Sequence, residues 1–171
     1  MVEKNLVVDQ KILEYRGLFE FDEMIRTLDS LVKSKGYELQ EKKAEEKVSE
    51  EEKEIHLELR PLKRVTNYQT LMIKVTINAK NLTEEIHAVG GKKRHFHKGN
   101  LSLVFDGWSL TDFERKTQER MLNYFIRGVI SKYLYRSPTE GKIIGGLKSD
   151  VDFVFNQLKS FLNLYKYQIK E

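Results

Sequence analysis

The stretch that most constrains this chain is Tyr68–Ala79, Y-Q-T-L-M-I-K-V-T-I-N-A. Leu71, Ile73, Val75, Ile77 and Ala79 fall on one face of an extended backbone; Thr70, Met72, Lys74, Thr76 and Asn78 fall on the other. Successive side chains of a strand point to opposite sides, so this alternation predicts a long antiparallel strand with one buried and one wetter face. A buried face of that length needs a cover, and three segments carry apolar residues at helical spacing. Phe21, Met24, Ile25, Leu28, Leu31 and Val32, with Gly36 just beyond, predict a helix over about 20–35. Leu122, Phe125, Ile126, Val129, Ile130 and Tyr133 form a second stripe. Leu147, Val151, Val154, Phe155, Leu158, Phe161, Leu162 and Tyr165 form the third and cleanest. Over 147–166 that helix is about 30 Å long, comparable to the sheet it would cover.

Shorter alternations flank the central strand. Lys11–Tyr15 reads as a first strand, with Leu6–Val8 as an extension or arm, and Arg16-Gly17 breaks it. Tyr37 and Leu39 begin a strand that fades into a charged, solvated hairpin around Ser49-Glu50. Ile55, Leu57 and Leu59 restart the period until Pro61 ends it or marks an edge. Glu85–Val89 and Lys93–Lys98 flank a glycine turn at Gly90-Gly91, and Gly99-Asn100 turns again into Leu101, Leu103 and Phe105. At Gly107 the apolar phase slips, so that Trp108 and Leu110 occupy what would have been the outer face, which predicts a β-bulge or bend. Ser137-Pro138-Thr139-Glu140 has the form of a capping box with proline at the first helical position. The glycines of Gly141–Gly146 are expected to interrupt the helical run, as a simple connection or as a gate over a cavity.

These elements predict an α+β fold: an antiparallel sheet of about six to seven strands packed by helices, with the long C-terminal helix across its concave side. At 171 residues, 40% hydrophobic and 33% charged, the chain suits one domain over 1–171 with a sizeable core. The absence of cysteine excludes a disulfide framework and thiol chemistry. The chain start lacks the apolar core of a signal peptide, and no run reaches the ~18 apolar residues of a transmembrane helix. The expectation is a cytoplasmic protein with no membrane span.

In its order of elements the chain resembles the helix-grip layout of the START-like superfamily, in which a curved antiparallel sheet wraps a long C-terminal helix. It departs from that layout in having one helix after the first strand and an extra helix before the last. The resemblance implies a carrier of an apolar small molecule, held between sheet and final helix. Candidate lining residues are Leu71, Ile73, Val75, Trp108, Phe155 and Leu158.

The net charge of +4 is unevenly spread. Lys92, Lys93, Arg94 and Lys98 crowd one hairpin without an acid between them, in the run K-K-R-H-F-H-K. Lys92, Lys93, Arg94, His95, Phe96, His97 and Lys98 are therefore candidate anion-binding residues, with cations for phosphates and Phe96 to stack on a base. Nucleic acid or a ribonucleoprotein is the matching partner; charged residues that only protect a sheet edge are the plainer reading. His87, His95, His97 and Glu85 become a zinc-like ligand set only if the hairpin loop has three residues; a two-residue loop turns His87 to the other side. No P-loop, nucleophile elbow or paired-carboxylate pattern is present, and no cofactor is expected. The function expected is thus a binding module for an anionic partner, with an apolar carrier or a protein-docking subunit as rivals; an enzyme is the less expected class.

Overall fold

Why the central alternation dominates is visible in the computed structural model, which describes residues 2–48, 53–112 and 138–168. Among them, five strands form one antiparallel sheet: β1 (Val2–Phe19), β2 (Glu38–Val48), β3 (Lys53–Arg64), β4 (Gln69–Val89) and β5 (Lys92–Asp112). Their order across the sheet is β1-β5-β4-β3-β2. Two helices, α1 (Phe21–Ser34) and α2 (Pro138–Gln168), cover one face. The α+β architecture with a C-terminal helix across an antiparallel sheet is therefore the one the alternation and stripes predict. The stripe over 122–133 lies outside the described residues.

On β4, Leu71, Ile73, Val75, Ile77 and Ala79 are each at most 3% exposed and meet Ser109, Gly107, Phe105, Leu103 and Leu101 of β5 in register. Leu57 and Leu59 of β3 and Leu13 and Tyr15 of β1 extend the layer sideways. Met24, Leu28 and Val32 of α1, and Leu147, Val151, Val154, Leu158 and Leu162 of α2, close it from above. α1 ends in a pair of backbone bonds, Tyr37 N–H to Val32 O (3.0 Å) and Gly36 N–H to Lys33 O (2.9 Å), the Schellman arrangement. That turn delivers Tyr37, fully buried, whose hydroxyl donates to Asp150 of α2 at 3.1 Å.

The strands are longer than a reading of local breaks suggests. β1 passes through Arg16-Gly17 to Phe19, and Tyr15 helps by donating its hydroxyl to the carbonyl of Leu18 at 2.8 Å. β4 and β5 each run 21 residues, absorbing segments that Asn81 and Gly99-Asn100 would separate. The ladder shifts between Lys80 and Thr83, where Asn81 takes a positive φ of 54°, so a bulge bends the pair without ending it. Gly99 lies at that bend. A Cβ there would sit 2.8 Å from the carbonyl oxygens of both Lys80 and Asn81, so only glycine lets the backbones approach.

Two further expectations are corrected. The irregularity near Gly107 belongs to β1, whose register shifts around Val8, while β5 stays in step with β4 through Gly107. Gly107 is small because Val8 packs on it: a Cβ would come 3.1 Å from a Val8 methyl carbon. Nor do the glycines at 141, 145 and 146 interrupt α2, which is continuous from Pro138. Their cost, roughly 1 kcal/mol each against alanine, is outweighed by the apolar stripe that follows.

Two substitutions in α2 should therefore move stability in opposite directions. Leu158→Ala removes a fully buried side chain and should cost ~2–5 kcal/mol. Gly145→Ala, with nothing within 4 Å of the added methyl, should gain about 0.5–1 kcal/mol. Urea unfolding midpoints check both; a destabilised Gly145→Ala would restore the glycine run as a hinge.

Candidate functional site

The basic hairpin is built by a two-residue turn. Gly90 and Gly91 have φ of 59° and 78°, and Val89 pairs with Lys92, the geometry of a type I′ turn that matches strand twist. Because β3 pairs with β4 only up to Leu82 and β1 reaches only His97 on β5, residues 85–89 and 92–96 form a two-stranded ribbon beyond the sheet's other strands. Its paired length is roughly 16 Å. The two-residue turn also sets the histidines. His87 faces Arg94 and Glu85 faces Phe96 across the ladder, so His87 lies on the opposite side from His95 and His97. The zinc-like set is not assembled, and no group of three His, Cys, Asp or Glu among the described residues could hold a metal.

The seven candidate anion-binding residues divide into two groups. Lys92, Lys93, His95 and Lys98 are exposed. Among the described residues, no ion pair involves Lys92 or Lys93, and Lys98 Nζ lies 4.0 Å from Glu85. The other three are partly or fully buried, Arg94 and Phe96 on one side of the strand and His97 on the other. Arg94 Nη2 is 2.8 Å from Glu20 and 2.5 Å from Glu23 of the α1 start, and Tyr165 of α2 donates its hydroxyl to Glu23 at 3.2 Å. Burial, reinforced by the hydrogen bond to Glu23, raises the Glu20 carboxyl above its ordinary value, and Arg94 opposes this. Phe96 is 1% exposed, edge-on to His87 (5.7 Å) and Tyr165 (6.1 Å). It is therefore a core ring and has no face free for a base, which corrects the stacking role expected of it. His97 packs between Phe19 and Phe21, each 6.3 Å away, and its Nδ1 has no hydrogen-bond partner among the described residues. Burial keeps its pKa below the ordinary imidazole value, so it stays neutral rather than serving as a cation.

The expected apolar pocket fares differently. Ile73, Val75 and Leu158 have no surface that water could reach, and Leu71 has 3%. Side chains lining a void large enough for a ligand would show such surface, so this interior is filled by its own residues. Phe155 is half-buried, edge-on to Phe105 at 5.7 Å with Lys11 Nζ over its ring at 4.5 Å. Trp108 is paired with Met72 and Leu6 on the face away from the helices, so it lines no space beneath α2.

A concavity lies instead on the sheet face away from the helices. A groove of about 430 Å³ is lined by Glu14, Tyr15 and Arg16 of β1, Asn78 and Lys80 of β4, and Asn100, Leu101 and Ser102 of β5. Its polar lining alternates with Ile77, Ala79, Leu101 and Leu103, which are buried under the helices. Register stacks these residues in two rows: Arg16–Asn100–Lys80, then Glu14–Ser102–Asn78. Arg16 and Lys80 are exposed and take part in no ion pair among the described residues. Asn78 Oδ1 lies 2.5 Å from His56 Nδ1 on β3, which with the Nδ1–H tautomer orients the amide nitrogen away from that bond. These residues are invisible to motif reading because they lie on three strands, and only the bend at Gly99 and the register bring them together.

No family model matches the chain, and no curated protein matches it. Among solved structures, an uncharacterized protein from Rhizobium leguminosarum covers 94% of this chain and 99% of its own at 8% identity, with a TM-score of 0.21. A likeness that slight carries no inference about fold or function.

Neighbouring cations of the hairpin should behave differently on substitution. Arg94→Ser strands two carboxylates beside a half-exposed site and should cost ~1–2 kcal/mol. Lys93→Ser, exposed and unpaired among the described residues, should stay within about 0.5 kcal/mol of the parent. Equal urea midpoints for the two variants would show that Arg94 ties nothing together.

Proposed function

We propose that this chain is a non-catalytic module that binds nucleic acid through the β4–β5 ribbon. The observation that supports this reading best is the clustering of Lys92, Lys93 and His95 as exposed side chains on one arm of a ribbon that extends past its neighbouring strands, with Lys98 exposed at its base. A two-stranded ribbon fits the major groove of B-DNA, and lysines there neutralise phosphates and release counterions. With Phe96 buried and Arg94 engaged by Glu20 and Glu23, the ribbon offers charge without a stacking ring. Duplex DNA is therefore favoured over single strands, whose binding relies on base stacking. A ribonucleoprotein presents phosphates too, but A-form RNA hides its major groove from such a ribbon. The carrier reading for an apolar molecule has less support, because the interior under α2 is filled.

The deciding test is a salt titration of binding to duplex and single-stranded DNA. Lys92→Ser/Lys93→Ser/Lys98→Ser should fold like the parent, since it spares Arg94 and Phe96. It should bind duplex DNA more weakly, and the slope of log affinity against log salt should flatten by about 0.9 for each phosphate that is no longer neutralised. If the parent binds neither form at low salt, or the triple variant binds duplex equally well, the reading falls.

A further inference from the structure

We infer that the groove on the open sheet face is a binding site for a sugar-phosphate unit. Two cations without ion-pair partners among the described residues flank an amide in one row, Arg16–Asn100–Lys80. The backbones of β1 and β4 stand about 9.5 Å apart across β5, so both long side chains can reach a single phosphate above Asn100. Such a phosphate would receive charge-assisted bonds from the guanidinium and ammonium and a neutral one from the amide. The second row, Glu14–Ser102–Asn78, lies about 7 Å along the strands. It supplies a carboxylate, a hydroxyl and an amide, the mix of acceptors and donors that suits the hydroxyls of a sugar ring. His56 holds Asn78 by its oxygen, leaving the amide hydrogens to donate. The groove volume of about 430 Å³ lies in the range of small-ligand sites, and six of its eight lining residues carry polar or charged side chains that can contact a phosphate and a sugar.

The same chemistry can arrive as a free sugar phosphate or as the backbone of a nucleic acid, since Lys98 lies in the row next to Arg16–Asn100–Lys80 and adjoins the ribbon. The groove stands apart from the ribbon in its residues, so either can fail alone. The test titrates the whole chain with ribose 5-phosphate, ribose and inorganic phosphate by calorimetry. Ribose 5-phosphate should bind at least tenfold more tightly than either fragment. Asn100→Asp keeps the shape but sets a carboxylate between the cations, and should abolish that binding; Arg16→Ser/Lys80→Ser should weaken it at least tenfold. Lys92→Ser/Lys93→Ser/Lys98→Ser should leave it unchanged, whatever happens to DNA binding. If Asn100→Asp also weakens duplex DNA binding, the polymer backbone occupies the groove; if it does not, the ligand is the free sugar phosphate. Ribose 5-phosphate binding no tighter than phosphate or ribose alone, or unaffected by Asn100→Asp, overturns the site.

Discussion

The bend at Gly99 is the constraint on which the rest depends. Two strands of 21 residues, paired along their length, twist as they run, and a bulge adds a bend to that twist. The bulge at Asn81 and Leu82 supplies the curvature, and it works only because Gly99 admits two carbonyl oxygens where a Cβ would collide. Leu82, three residues after Ala79, is again buried, so the core continues past the bulge. Beyond it the ribbon is turned so that Phe96 meets Tyr165 of α2 and Arg94 meets the start of α1. Short of the bend, the strands lie beneath Val151, Val154 and Leu158. One backbone feature thus places both the ribbon's inward anchors and the groove formed where β1, β4 and β5 converge.

The two faces of the sheet have opposite characters. Under α1 and α2, side chain meets side chain and water has no access to Ile73, Val75, Ile77, Val154 or Leu158. On the other face the charges are partly spoken for: Glu58 is held by Arg60 at 2.5 Å and Lys74 at 3.6 Å, and their combined pull lowers its pKa despite partial burial. Arg16 and Lys80, nearer the bend, have no such neighbours among the described residues. A cation left unpaired beside a polar groove is available to a ligand in a way that Arg94, tied to two carboxylates, is not.

Much of the fold was legible because burial writes periodicity into sequence. The alternation from Leu71 to Ala79 and the stripe from Leu147 to Tyr165 are imprints of a face that must exclude water, and each appears where expected. What local reading missed was context. Asn81, Gly99 and the glycines at 141–146 look like breaks, yet the strand pair bends at the first two and the helix runs through the rest, because long-range packing outweighs local preference. The candidate site was legible only in part. A run of cations marks the ribbon, but whether Arg94 is free or clamped depends on Glu20 and on Glu23, 71 residues away along the chain. Whether His87 joins His95 depended on one residue of loop length, which the type I′ turn decides. The groove could not be read at all, since its rows exist only once β1 and β4 are in register on β5.

The central claim is that the helix-covered face is a closed core and the open face with its ribbon is where ligands bind. A map of backbone amide NMR shifts on adding a short DNA duplex tests this most directly. Shifts should concentrate at 92–98, with those at 14–16, 78–80 and 100–102 following if the backbone enters the groove, and none along 147–162. Shifts centred on 147–162 and on the inward residues of the central strand, with the ribbon silent, would contradict it.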